Sequence, residues 1–405
     1  MKHPVSARRS AWLVAALLGL AAVNPAQAQD SKGRLEVYGF AMLDMGYQGK
    51  QNDPAWFDVV RPTKLPAFKD EFGHDGRFFM GVRQSRLGVK GFVPTPMGEL
   101  KTIFEYELFG TGADAGQTTF RLRHAWGELG KFGAGQYWSV FVDPDAFPNT
   151  FEYWGPNGLA WYRNVQARFT AVNTDKNLFM VALERPGASA DQGNYADRIE
   201  LQGVSGRFPL PDLSAQYKRT GKAGHLAIAG IVRQINWDDM NNDQFDLTGS
   251  AVGYGVNVST NLKLKQDVLR ASVVYGAGVQ NYMNDAPTDV GIEANPGNAT
   301  QPIVGKALPM LGATVFYDRT WSPKWTTSIG GSMLDIDNSD GQAPSAFKRG
   351  SYGIINLLST PVPGVTYGAE LQYGKRENNS DGFSSDDVRI QFSFKYNFKH
   401  QMGGN

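Results

Sequence analysis

Basic side chains recur at alternate positions along this chain, each opposite an apolar set. Arg86 and Lys90 face away from Leu87, Val89 and Val93. Arg121 and Arg123 alternate with Leu122. Arg168 shares a face with Asn164 and Gln166, against Val165, Ala167 and Phe169, and Arg163 precedes that segment. Arg233 lies on the face of His225, Ala227 and Ala229, and Arg389 and Lys395 line the segment 388–398. Guanidinium and ammonium groups bind anions: Arg as a planar, bidentate fork, Lys as a compact point charge. Two partners are open to them. One is an anionic solute. The other is a set of carboxylates on the same segments, such as Glu105, Glu107, Glu184 and Glu370, which would leave little net field.

A second group of residues sits on one long connector, 140–162. It carries Asp143, Asp145, Glu152 and Tyr153 among three prolines and several aromatics. If that connector folds back over the basic segments, its carboxylates and ring would face them as a constriction. Nothing in the chain supplies catalytic chemistry in recognisable form. His74, His124, His225 and His400 are far apart and none forms a metal-binding spacing. No Gly-x-Ser-x-Gly elbow occurs. Gly133-Ala134-Gly135 and Gly253-Tyr254-Gly255 lack the third glycine of a dinucleotide loop. No cysteine is present, which removes thiol nucleophiles and Cys-ligated metals. No cofactor is expected.

The elements that hold these residues read as strands of period two. In 388–398, Val388, Ile390, Phe392, Phe394, Tyr396 and Phe398 share one face, and Arg389, Gln391, Ser393, Lys395 and Asn397 the other. Six large apolar residues on one face suit a membrane-crossing strand of about 9–11 residues. The segments 365–373, 100–108 and 252–258 repeat the pattern, and 35–45 does so with a mixed second face. Segment 325–334 is small or mixed on both faces and is not oriented by its pattern. A charge facing lipid near the midplane costs roughly 2–4 kcal/mol, so the basic residues should point inward or sit near an interface. Trp126, Trp138, Trp321 and Trp325, near strand ends, read as interfacial girdle residues.

Connectors alternate in length. Short ones at 94–97, 130–131, 173–176, 220–224, 261–266, 321–324 and 359–364 carry turn residues. Long polar ones lie at 50–76, 111–117, 140–162, 186–211, 237–246, 280–308, 338–347 and 377–387. Short turns on one rim and long loops on the other predict an all-β, transmembrane antiparallel barrel of about 16 strands, with 140–162 folded inward. Closure follows from the lipid, which cannot hydrogen-bond an open strand edge. A barrel this wide leaves an aqueous channel.

The N-terminus reads as a cleavable secretory signal, 1–28. Lys2, Arg8 and Arg9 precede the apolar run 11–23, and Ala26-Gln27-Ala28 forms a small-x-small site. Its removal leaves a single barrel unit, 29–405, of 377 residues. It takes away three basic residues and no acid, so the net charge moves from +1 to −2. That balance excludes a strongly basic nucleic-acid binder. Mean hydropathy is −0.35, as expected where lipid-facing and lumen-facing residues alternate and cancel.

Several motifs are similar to those of the DcaP-like family of trimeric outer-membrane porins, more distantly akin to phosphate-selective porins. They are RQSRLGVKG at 83–91, RLRHAWGELGKFGAGQYWSVF at 121–141 and DPDAFPNT with GPNG in 143–158. LPDLSAQYKRT at 210–220, GHLAIAGIVRQI at 224–235 and NLLSTPVPGVTYGAELQYGKRE at 356–377 complete the set. The resemblance implies a 16-strand barrel in the bacterial outer membrane, a homotrimer within outer-membrane lipid, and passive uptake of small anionic solutes such as dicarboxylates. Carried over by motif, Arg121, Arg123, Arg163 and Arg168 would line or adjoin the constriction. Two departures stand out. The barrel segments begin soon after Gln29, without a coiled-coil extension, so a trimer would rest on barrel contacts. Residues 399–405 also follow the last aromatic, Phe398. The competing readings are a general diffusion porin with all arginines paired, an enzyme barrel and a plugged adhesion barrel. A siderophore receptor would need 22 strands and a plug.

Overall fold

The computed structural model describes residues 33–196 and 201–403. The expected signal segment 1–28 lies outside them. Sixteen antiparallel strands close into one barrel. They are β1 (Arg34–Gln48), β2 (Arg77–Gly81 and Arg86–Thr95), β3 (Gly98–Phe109), β4 (Thr118–Leu129), β5 (Phe132–Trp138), β6 (Arg163–Asn173), β7 (Asn177–Glu184) and β8 (Val204–Arg207 and Asp212–Gly221). The second half comprises β9 (Gly224–Asp239), β10 (Gly249–Leu264), β11 (Asp267–Ala277), β12 (Pro309–Ser322), β13 (Trp325–Ile336), β14 (Phe347–Val362), β15 (Val365–Asn378) and β16 (Ser384–Gly403). Closure is made by β1 and β16, paired from Arg34↔Gly403 to Gln48↔Arg389.

The wall is inside-out relative to a water-soluble domain. On β16 the alternate residues from Val388 to Phe398 are 37–54% exposed, whereas Arg389, Gln391 and Ser393 are at most 1% exposed. The apolar face meets lipid and the polar face the lumen, as the alternation requires. The short turns lie where expected. Several use positive-φ backbone, among them Gly130 (φ 59°), Gly364 (φ 86°) and Lys265 (φ 61°). Glycine adopts that region freely, and lysine does so only against a steric penalty.

Two strands differ from the expected pattern. β2 is interrupted at 82–85, where Arg83 and Gln84 turn inward. Arg83 meets Asp58 at 2.5 Å, and Gln84 meets Asp44 at 3.0 Å. The expected loop 186–211 contains the upper part of β8, which pairs with Asn236–Asp239 of β9. The unoriented segment, β13, turns Ile329 outward and Ser328 and Leu334 inward.

The apolar core lies inside the barrel, off-centre. Phe141, Val142 and Ala160 of the third long loop, L3 (139–162), pack with Tyr282, Met283 and Leu308 of the sixth, L6 (278–308). Both pack on Ile231, Val274, Met310, Leu334 and Ile336 of the wall from β9 to β13. L6 carries its own hairpin, Val290–Ala294 with Ile303–Ala307. Loops thus fill the lumen against one wall and leave it open against the other.

Candidate functional site: a basic eyelet

L3 is seated by a series of bonds that follow the wall around the lumen. Glu184 on β7 accepts from the Ser139 hydroxyl at 2.8 Å and the Val140 N–H at 3.1 Å. Gln216 on β8 donates to the carbonyls of Val140 and Val142, and Asn257 on β10 to that of Phe141. Asp143 is buried against Lys218 at 2.6 Å, His225 at 2.7 Å and Ser259 at 2.7 Å. Burial opposes its ionisation, but the bonds from His225 and Lys218 outweigh that and hold Asp143 well below the usual carboxylate range. Asp145, largely exposed, adds a contact to Lys218 at 2.7 Å. Asn356 on β14 donates to the Asn149 carbonyl at 2.8 Å. Glu370 on β15 accepts the N–H groups of Phe151 at 2.6 Å and Glu152 at 2.8 Å.

Beyond that point the loop faces the opposite wall. Tyr153 stacks on Phe109 at 3.9 Å, and its hydroxyl donates to Glu107 on β3. Glu152 also borders the lumen cavity, but its carboxylate is buried among loop N–H groups. It accepts N–H bonds from Val60 at 3.0 Å and Trp154 at 3.2 Å, and burial pushes its carboxyl up.

The open side is an arc contributed by seven adjacent strands. Cross-strand register places Phe40 of β1 opposite Arg86 of β2, Arg86 opposite Glu107 of β3, and Glu107 opposite Arg121 of β4. Lys395 of β16 flanks one end, and Trp138 of β5 with Arg163 of β6 forms the other. Arg86, Arg121, Arg123, Arg163 and Lys395 line one cavity of about 490 Å³. Phe147, Thr150 and Phe151 of L3 close its other side. Arg123 reaches Glu105 at 2.7 Å and Glu107 at 2.6 Å. Arg86 meets Glu107 at 3.2 Å and Glu105 at 3.7 Å, and Arg121 meets Glu107 at 3.5 Å and the Tyr153 hydroxyl at 3.3 Å. Three guanidinium groups therefore share two carboxylates. Arg163 and Lys395 have no carboxylate within ion-pairing distance among the described residues. Each lies instead on an aromatic ring: Arg163 on Trp138 at 4.8 Å, Lys395 on Phe40 at 4.0 Å.

A β-bulge shapes this arc. Glu105 pairs with His124 and Tyr106 with Leu122, so Arg123 is extra. An inserted residue lets neighbours in sequence face the same way. Arg123 and His124 are both buried on the lumen side, and Trp126 follows them inward rather than joining a girdle. Gly135, at φ 121°, lies close to the Ala125 carbonyl and precedes Tyr137 and Trp138. Trp138 likewise lines the cavity. Trp321 and Trp325 do sit exposed near a turn.

Other expected site residues fall elsewhere. Lys90 pairs with Glu36 at 3.2 Å nearer the short-turn rim, together with Lys399 at 2.9 Å. Arg168 meets Glu128 at 3.3 Å beneath the Trp126 ring. Arg233 and Arg389 are corrections to the pore-lining set. Arg233 is 2% exposed, clamped by Asp212 at 3.2 Å and Asp289 at 3.1 Å under L6. Arg389 is 1% exposed, donates to the Asp58 carbonyl at 2.7 Å and lies under the first long loop. Alternation turns both inward, but loops cover them. Sequence reasoning reaches Lys395 as an inward cation; its lack of a carboxylate follows only from the register across β1. Phe40, Phe147 and Trp161 of the lining carry no sequence signal of their own.

The chain matches the model of the DcaP outer membrane protein family over residues 76–398. Its fold is similar to the outer membrane channel DcaP of Acinetobacter baumannii, with a TM-score of 0.74 at 21% identity, covering 90% of this chain and 97% of that one. It is more distantly similar to the anion-selective porin from Comamonas acidovorans, with a TM-score of 0.58 at 9% identity, covering 90% and 100%. The trimer form of OmpT of Vibrio cholerae gives 0.54 at 12% identity, covering 90% and 99%. No curated protein matches the chain by sequence.

Proposed function

Because the chain belongs to the DcaP outer membrane protein family, we propose that it forms a water-filled channel for the passive uptake of small anionic solutes, dicarboxylates among them. The observation that carries this reading is the imbalance at the eyelet: five cations share one cavity, and two carboxylates answer three of them. At about 8 Å and a water-like dielectric, each unanswered charge is worth about 0.5 kcal/mol. The net excess of three charges attracts an anion and repels a cation by a difference of about 3 kcal/mol, roughly 150-fold at low salt. An anion entering the wide mouth exchanges part of its hydration for guanidinium and ammonium contacts. Weak pairs below, at Lys90 and Lys399 with Glu36 and at Arg168 with Glu128, let it leave in steps.

A homotrimer resting on barrel contacts fits this reading, as OmpT of Vibrio cholerae has a trimer form. The first test is the zero-current potential of the refolded protein in a planar bilayer under a KCl gradient. A chloride-selective channel is expected. A cation-selective or unselective channel would return the protein to a general diffusion porin.

A further inference from the structure

Ion pairs and π faces hold a cation in place with different consequences. A carboxylate fixes a guanidinium group and at the same time cancels its charge and occupies its donors. An aromatic face attracts the cation through its quadrupole but accepts no proton from it and adds no net charge. Both devices occur in the arc. Arg86, Arg121 and Arg123 are committed to Glu105, Glu107 and the Tyr153 hydroxyl. Lys395 and Arg163, at the two ends, rest on Phe40 and Trp138 and keep their donors for the cavity they line.

We propose that Lys395 and Arg163 are the side chains that contact the passing solute, with Phe40 and Trp138 as positioning residues. The three carboxylate-bound arginines form the rigid, largely neutralised centre between them. This rests on the reading of the channel as anion-conducting. It goes beyond that reading by separating the charge of the eyelet, to which all five cations contribute, from direct hydrogen bonding, to which two contribute. An oxyanion or carboxylate is the class of solute served, since it accepts several N–H bonds at once.

The chain has no native cysteine, so a single introduced thiol can be modified without background. Wild type is compared with Lys395→Cys in planar bilayers, with sulfate as the probe. Two quantities are read: the chloride-to-potassium permeability ratio, and the apparent dissociation constant from sulfate block of the chloride current. Lys395→Cys is expected to weaken sulfate block about tenfold, the loss of one charge-assisted hydrogen bond. Modification with 2-aminoethyl methanethiosulfonate adds a primary ammonium and restores both quantities. Modification with the trimethylammonium reagent restores the charge without an N–H donor. It should recover the permeability ratio while sulfate block stays weak.

Arg121→Gln removes the same charge from a side chain already committed to Glu107 and Tyr153. It should lower the permeability ratio as Lys395→Cys does, but weaken sulfate block only about threefold through lost attraction. Phe40→Leu, which changes no charge, should weaken block about threefold at an unchanged ratio. Equal sulfate constants for Lys395→Cys and Arg121→Gln, or full rescue by the trimethylammonium reagent, would overturn the contact role. A wild-type channel without anion preference would instead overturn the functional reading on which it rests.

Discussion

On the wall from β8 to β15, Arg233 is clamped between Asp212 and Asp289, Asp143 between Lys218 and His225, and Arg270 against Asp318 at 2.6 Å. On the wall from β16 to β6, Arg163 and Lys395 rest on rings and line a cavity, and three arginines divide two carboxylates. The residue types are the same and both sets face inward. The difference is L3 and L6, whose apolar residues pack on the first wall, whereas on the second L3 touches β3 through Tyr153 and leaves a cavity beside it. A covered charge needs an opposite charge or hydrogen bonds, because an unpaired ion in a low-dielectric interior is costly. A charge left in contact with water can remain in excess. Basic residues under loops, Arg233 on the first wall and Arg83 and Arg389 on the second, therefore hold those loops down, while Arg163 and Lys395 at the eyelet are left to act on solutes.

Breaking the covered side should have the largest effect. Arg233→Met leaves Asp212 and Asp289 buried without their cation, and removing one member of a buried ionic cluster costs about 3–5 kcal/mol. The midpoint of urea unfolding, followed by tryptophan fluorescence of the refolded barrel, should fall accordingly. The permeability ratio should change less than twofold, since the site lies under L6 and away from the eyelet. A large loss of anion preference with an unshifted midpoint would place Arg233 among the solute-facing residues and remove the distinction between the two walls.

The open side predicts the reverse pattern. Glu107→Gln withdraws one of the two carboxylates shared by Arg86, Arg121 and Arg123. The net charge of the eyelet rises by one, and the chloride-to-potassium permeability ratio should rise about fivefold at low salt. High salt should erase much of the gain, because the Debye length shrinks to about 3 Å at 1 M. A ratio unchanged at low salt would mean that the field at the waist is set elsewhere.

Much of this division was out of reach of the sequence, for identifiable physical reasons. Alternation is local, so it gave the inward face of β16 and the sixteen strands with their connectors. It turned Arg86, Arg121, Arg233, Arg389 and Lys395 inward alike. What separates Arg233 from Lys395 is which wall the loops cover, and that depends on contacts as distant in sequence as Arg233 with Asp289 of L6 or Phe151 of L3 with Glu370. Bulges defeat alternation even locally. The extra residue at Arg123 turned His124 and Trp126 inward, and neither is marked by glycine or proline at that point. Trp126, read as a girdle residue, is a lumen residue for this reason, and Trp138 on the next strand lines the cavity as well. The loop acids were located on the right connector but not by role. Asp143 and Glu152 bind the loop to its seat rather than facing the solute, and only Tyr153 reaches the arginines.

The smallest expected effect sharpens the comparison by asking how firmly L3 is seated on the covered wall. Asp143 is held below the usual carboxylate range, against an unfolded value of about 3.9. A depressed carboxylate contributes stability that is complete above its unfolded value and is lost only as pH falls through the folded one. The groups facing it are Lys218, His225, Ser259 and, through Lys218, Asp145. Acidification from pH 7 to pH 5 therefore leaves the Asp143 anchor charged. Open-channel noise, which reports fluctuation of L3 across the waist, should therefore be the same at pH 5 as at pH 7. Asp143→Asn keeps acceptors for Ser259 and His225 but gives up the charge opposite Lys218, a loss of about 2 kcal/mol. It should raise the noise at both pH values without changing the sign of selectivity. Wild-type noise that climbs to the Asp143→Asn level by pH 5 would mean that the loop is seated by some other contact. The covered wall would then owe its order to apolar packing of Phe141 and Val142 rather than to matched charge.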